Sequence, residues 1–138
     1  MENIPIKMKV NMSLNHAVIW IDHQAAHVLF LSESASEAEV IRSKSTHHHL
    51  HHKGGEVGSG KLALDSKYLH SDIQAVKESK EILIIGPGSA KLELIKHAHH
   101  HDPQIAENIV GVETVDHPSD KEILAYARHF FYKVDQML

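Results

Sequence analysis

The 138-residue sequence contains no cysteine, which excludes a disulfide framework, a thiolate nucleophile and a thiolate zinc site. No apolar run approaches the roughly 20 residues needed to cross a bilayer. The opening stretch, Met1 to Leu14, holds charges and a proline and no continuous apolar segment, so it does not read as a secretory signal. These absences lead us to expect a soluble, cytoplasmic protein with no membrane partner. Aromatic residues make up only 5% of the chain, with a single tryptophan, Trp20, so a base-stacking platform for single-stranded nucleic acid is not indicated. Net positive charge is absent too: with histidine neutral the chain carries −4, which argues against a generic nucleic-acid coat.

What is present is a globular composition, 42% hydrophobic and 23% charged, in a length that suits one domain with an ordinary core. The charge is unevenly spread. Between Ile41 and Lys61, four cations (Arg42, Lys44, Lys53, Lys61) face one anion (Glu56), so that window is +3 and the remainder −7. The same window holds five of the 15 histidines, which add positive charge on mild acidification or beside phosphate. One basic element is therefore carried on an acidic body.

The alternation of Ile4, Ile6, Met8, Val10 and Met12 permits an edge strand, although Pro5 argues against a central one; residues 1–14 are either that or an N-terminal extension. Residues 15–138 then read as a single domain. His16 to Asp22 and Ala25 to Ser32 are apolar runs bounded by a turn, and Glu39 to Lys44 is a shorter third strand after a polar turn over 32–39, together a meander. A helix is expected from about Asp65 to Ser79 with Leu69, Ile73 and Val76 facing inward. Glu81 to Gly86 (EILIIG) is a continuous apolar run, as in a strand covered on both faces. Pro87-Gly88 leads into a helix capped by Ser89 and ending near Asp102-Pro103, with a further turn of helix over 104–108. Ile109 to Val115 is the last strand. Ser119 and Glu122 form a capping box for a final helix whose apolar face is Ile123, Ala127, Phe130 and Val134. The order β-β-β-α-β-α-β-α implies an α/β fold with a mixed sheet of about five strands, compatible with the ribonuclease-H-like class.

Thr46 to Gly60 has no period and four glycines, and defines a His/Gly-rich loop at 46–61. Structureless loops of about 15 residues are uncommon in compact domains unless they are functional or disordered, and solvated low-complexity sequence is the plainer alternative here. For RNA, Lys53 and Lys61 supply phosphate partners. His48, His49, His51 and His52 supply donors, and Gly54-Gly55 lets the backbone approach closely. Lys91, beside the Gly86-Pro87-Gly88 turn at a helix N-terminus, could assist in holding an anion, although the plainer reading is a tight turn and a cap. For metal, His47, His49 and His51 point one way on an extended chain and could take Zn²⁺, Ni²⁺ or Cu²⁺, with His97, His100 and His101 at helical spacing as further donors. Asp22, at the end of the first strand, with Asp116 and Asp120, raises a metal-dependent nuclease as a third alternative, which would need converging carboxylates.

Four stretches in order carry a family resemblance: WIDHQAAHVLF, HHLHHKGGEVGSG, ILIIGPGSAKLELIKH and VGVETVDHPSDKEILAYARHFF. Over roughly Asn15 to Phe131 the chain resembles the small bacterial family labelled translational machinery protein. Through Gly86-Pro87-Gly88, Lys91 and the topology it is also distantly similar to the middle domain of archaeal and eukaryotic class-1 release factors and of the rescue factor Pelota. The resemblance implies a ribonuclease-H-like fold and a ribosome or structured-RNA partner. Release factors of that type carry Gly-Gly-Gln in the long loop; here it is Gly54-Gly55-Glu56, and a carboxylate lacks the amide donor. The leading expectation is a non-catalytic, translation-associated RNA- or ribosome-binding module without a cofactor. The alternatives are a His-rich divalent-metal-binding protein and a degenerate nuclease.

Overall fold

The first strand, β1 (His16–Ile21, HAVIWI), is buried from Ala17 onward, as its β-branched and aromatic run requires. It lies in a computed structural model that describes residues 14–44 and 64–137, with side chains described up to residue 131. The N-terminal alternation at 4–12 and the loop at 46–61 lie outside the described residues. β2 (Ala25–Leu31) pairs antiparallel with β1 from Ile21↔Ala26 to His16↔Leu31. β3 (Ser36–Arg42) continues the meander antiparallel to β2.

β3 begins three residues earlier than the sequence suggests. The turn is confined to 32–35, where Ser32 N donates to Ala35 O at 3.0 Å and Ser32 Oγ accepts from Ala35 N at 3.1 Å. Residues 36–39 (SEAE) are largely exposed and hold no large apolar side chain, so they carry no apolar signature. An edge strand needs only one neighbour's hydrogen bonds, and β2 supplies them.

After the 45–63 segment comes α1 (Ser66–Ala75), capped by Asp65, whose side chain accepts from Lys67 N at 3.0 Å. β4 (Glu81–Gly86) then pairs parallel with β1. α2 (Ala90–His101), the short α3 (Pro103–Ala106), β5 (Ile109–Thr114) and α4 (Asp120–Met137) complete the chain. Ser89 stands at the N-cap of α2 but makes no side-chain cap hydrogen bond. The Ser119/Glu122 capping box is formed reciprocally: Ser119 N donates to Glu122 Oε1 at 2.8 Å and Glu122 N to Ser119 Oγ at 3.2 Å.

The five strands form one mixed sheet in the order β3-β2-β1-β4-β5, the α/β arrangement expected from the element order. Because successive side chains of a strand point to opposite faces, β1 and β4 feed two cores. Ala17, Ile19, Ile21, Ile82 and Ile84 pack against Leu69, Ile73 and Leu94 of α1 and α2. Val18, Trp20, Leu83 and Ile85 pack against Ile123, Ala127 and Phe131 of α4. The inward stripe of α4 runs through Ile123, Ala127 and Phe131, with the expected Phe130 partly buried against the same core, while the side chain of Val134 lies outside the described residues. Phe130 lies over Gly111, where a Cβ would stand 2.6 Å from its Cζ.

Two features yield testable consequences. A Cβ on Gly86 would overlap the Ile21 carbonyl oxygen, a backbone atom of the neighbouring central strand, whereas one on Gly88 meets nothing within 4 Å. Gly86→Ala is expected to destabilise the fold by at least ~2 kcal/mol in urea unfolding, and Gly88→Ala to fall within about 0.5 kcal/mol of the parent. Equal effects would contradict the close β1–β4 approach.

The second feature is Asp72 on α1. It is fully buried and neither carboxylate oxygen has a hydrogen-bond partner. Burial raises its pKa from 3.8 to about 8, so the folded protein holds it neutral at pH 7. The unfolded carboxyl ionises near 3.8, so folding takes up a proton between that pH and about 8. Its contribution is complete below pH 4, falls by about 1.4 kcal/mol per pH unit across the window, and is constant above it. Asp72→Asn, which cannot ionise, should therefore gain stability relative to the parent as pH rises from 5 to 8. Parallel pH–stability curves for the two proteins would show that Asp72 does not titrate this way.

Candidate functional site at the C-terminal edge of the sheet

β1, β4 and β5 run parallel, so their C-terminal ends share one edge of the sheet. In α/β sheets this edge is where ligands gather, because loops leave it and helices begin there. At the end of β1, Asp22 Oδ1 accepts from Gln24 N at 2.8 Å and Ala25 N at 2.9 Å, which closes the β1–β2 turn. At the end of β4 is Gly86-Pro87-Gly88-Ser89, and at the end of β5 the chain continues to Asp116 and His117, with Val115 N donating to Gly86 O at 3.0 Å.

Both ends of the 45–63 segment are tied to this edge. On the departing side, Ser43 N donates to Gln24 O at 2.9 Å. On the returning side, Leu64 N donates to Glu93 Oε1 at 3.2 Å, and Glu93 belongs to the first turn of α2. The other Glu93 oxygen lies 3.9 Å from His23 Nε2, across the β1–β2 turn. Tyr68 of α1 donates its hydroxyl to Asp22 O at 3.0 Å, and burial, followed by the Asp72 and Asp22 carboxylates, pushes that phenol up. The segment that carries His47, His48, His49, His51, His52, Lys53, Gly54, Gly55 and Lys61 lies outside the described residues, but its attachment points are fixed.

Lys91, the one RNA-contact candidate among the described residues, is 7% exposed, and its ammonium donates to Gly88 O at 2.5 Å. A phosphate at this turn would have to take over that bond. The three carboxylates considered for a nuclease are each set beside an imidazole. His117 Nε2 is 3.6 Å from Asp22 Oδ2, His117 Nδ1 is 3.3 Å from Asp116 Oδ1, and His27 Nδ1 is 2.8 Å from Asp120 Oδ1. Trp20 organises this group from the core: its Nε1 donates to Asp116 O at 2.7 Å and its ring meets those of His27 and His117 at 5.7 and 5.1 Å. Among the described residues Asp22, Asp116 and Asp120 do not form a three-ligand group, so the convergence a two-metal centre needs is missing.

His97 stands away from this edge, in the C-terminal half of α2. Its ring faces His101 at 4.5 Å and His70 of α1 at 6.1 Å. Burial, then the neighbouring imidazoles of His101 and His70, lowers its pKa from the usual histidine range. The His97–His101 contact follows from i,i+4 spacing; that with His70 joins two helices and has no counterpart in sequence spacing. Glu93, Tyr68 and His23 are likewise legible only in space, since each reaches an element distant in sequence.

No protein-family model and no curated protein matches the sequence. Solved structures do match. The Thermoplasma acidophilum Pelota protein superposes with a TM-score of 0.55 at 15% identity, over 91% of this chain and 38% of its own. Archaeoglobus fulgidus Pelota does so with a TM-score of 0.54 at 16% identity, over 96% of this chain and 38% of its own. An archaeal translation termination factor, aRF1, aligns at 0.48 and 13% identity, too loosely to add to them. The chain therefore has the fold of a portion of Pelota and spans less than two-fifths of either Pelota chain.

Proposed function

We propose that this protein is a non-catalytic, cytoplasmic, translation-associated module that binds the ribosome or structured RNA through the 46–61 segment. We also propose that it belongs to the small bacterial family labelled translational machinery protein and is related to the middle domain of Pelota and class-1 release factors. The observation that carries this reading is the fold shared with Pelota over 91% of the chain. Two further features support it. The basic window of +3 on a −7 remainder leaves the body at the C-terminal edge, where residues 43 and 64 are held by hydrogen bonds. The tripeptide Gly54-Gly55-Glu56 places a carboxylate where the release factors have an amide, which removes a donor and adds negative charge next to phosphate.

Binding through so few cations is carried by few phosphate contacts rather than by a broad basic face. The slope of log K against log salt for ribosomes or structured RNA is expected at roughly −2 to −4. Affinity should rise as pH falls through the ordinary imidazole range. Lys53→Ala with Lys61→Ala should weaken binding about tenfold with little change in folding, while Lys77→Ala with Lys80→Ala does much less. Normal co-sedimentation of the Lys53/Lys61 variant with ribosomes would exclude the segment as the binding element. Failure of the parent protein to co-sediment at any salt would remove the reading altogether.

A separate measurement addresses catalysis. Purified protein added to stalled ribosomes carrying labelled peptidyl-tRNA is expected to leave the ester intact. Peptide release at the rate of an authentic release factor would show that Glu56 does the work assigned to glutamine.

A further inference from the structure

The packing of α1 against the α2–α3 junction produces a cluster that the translation reading does not use. Among the described residues, His70, His97 and Asp102 are the one group of three potential metal ligands whose donor atoms all lie within 4.8 Å of one another. Each comes from a different place: the middle of α1, the third turn of α2, and the residue that ends α2 and starts α3. Two of the three residues carry an orphan polar atom. His97 Nε2 and Asp102 Oδ2 are both buried and neither has a hydrogen-bond partner. The other oxygen of Asp102 accepts from Gln74 Nε2 at 3.5 Å, which holds the carboxylate in place and leaves Oδ2 free to turn elsewhere.

Burying lone pairs without a donor is unfavourable, and an imidazole and a carboxylate this near would ordinarily share a proton. Here no hydrogen bond joins them. A cation between them satisfies both atoms at once. The donor set, two imidazoles and one carboxylate, is the kind that suits Zn²⁺ and its neighbours. Zinc places such atoms ~2.0–2.2 Å from itself, hence ~3.4 Å apart in a tetrahedron, so the group must contract slightly. His70 is exposed and free to make that adjustment.

We propose that His70, His97 and Asp102 form a site for one divalent transition-metal ion, Zn²⁺ in the first instance, that clamps α1 to the α2–α3 junction. The fourth position falls to water or to His101, whose ring lies 4.5 Å from that of His97. The role is structural: the ion reinforces a junction between α1 and α2–α3 that is otherwise held by side-chain packing and the long Gln74–Asp102 hydrogen bond. The ligand set differs from the histidine run at 47–52 and is independent of whatever RNA the protein binds.

The histidine run is itself a competing chelator, so the test uses the full chain with His47, His48, His49, His51 and His52 all replaced by serine. Zn²⁺ affinity is measured against a chromophoric chelator, and Co²⁺ substitution reports coordination through its visible absorption. In this background about one equivalent of Zn²⁺ should bind, give a tetrahedral-type Co²⁺ spectrum and raise the melting temperature. Adding His70→Ala or Asp102→Asn should weaken binding at least tenfold and abolish the thermal shift. The metal-free melting temperature should barely change for His70→Ala, because that side chain is exposed. Absence of Zn²⁺ binding in the serine background would overturn the proposal, and so would unchanged affinity in both added variants.

Discussion

The parallel pairing of β1 with β4 governs the rest of the molecule. From Ala17 to Ile21 and from Ile82 to Ile85 both strands are buried along their whole length, with apolar side chains alternating to the two faces. A strand pair of this kind has no wet side, so the chain must place helices on both faces. α1 and α2 cover one face and α4 the other. Gly86 marks how close the two strands come, since only a residue without a Cβ fits against the Ile21 carbonyl. The outer strands β3 and β5 have one neighbour each and keep exposed positions, which is why they are polar or mixed in sequence.

The same pairing gathers the chemistry. Parallel strands bring their C-terminal ends together, so Asp22, Gly86 and Asp116, 64 and 30 residues apart in sequence, meet at one edge. The chain leaves for the 45–63 segment from that edge and returns to it. Its two attachment points are held by backbone and carboxylate hydrogen bonds from the turns already there. The opposite end of the helical layer is different in character. There the C-terminus of α2 buries polar atoms of His97 and Asp102 that have no hydrogen-bond partner.

A fold shared with Pelota at 15% identity shows that the core solution is common, not that the function is. The 45–63 segment leaves the scaffold at its C-terminal edge. In this chain that segment is short, basic and rich in histidine and glycine, on a body that is otherwise acidic. Affinity for phosphate would then be local to a few side chains, and the acidic remainder would limit non-specific association.

The central strands, the Ser119/Glu122 capping box and the order of elements were determined by the sequence itself, because they depend on local signals. An unbroken EILIIG run, a Ser-x-x-Glu pair and Gly-Pro-Gly punctuation each act within a few residues. The start of β3 was not legible, because an edge strand takes its hydrogen bonds from a neighbour and needs no apolar pattern of its own. That Phe131 is the more deeply buried, with Phe130 beside it over Gly111, was settled by packing. Tertiary structure alone decided that Asp72 is buried and neutral, that Lys91 turns back onto Gly88, and that His97 meets His70 and Asp102. A titratable or metal-binding side chain is defined by the burial and partners around it, and those come from elements far away in the chain.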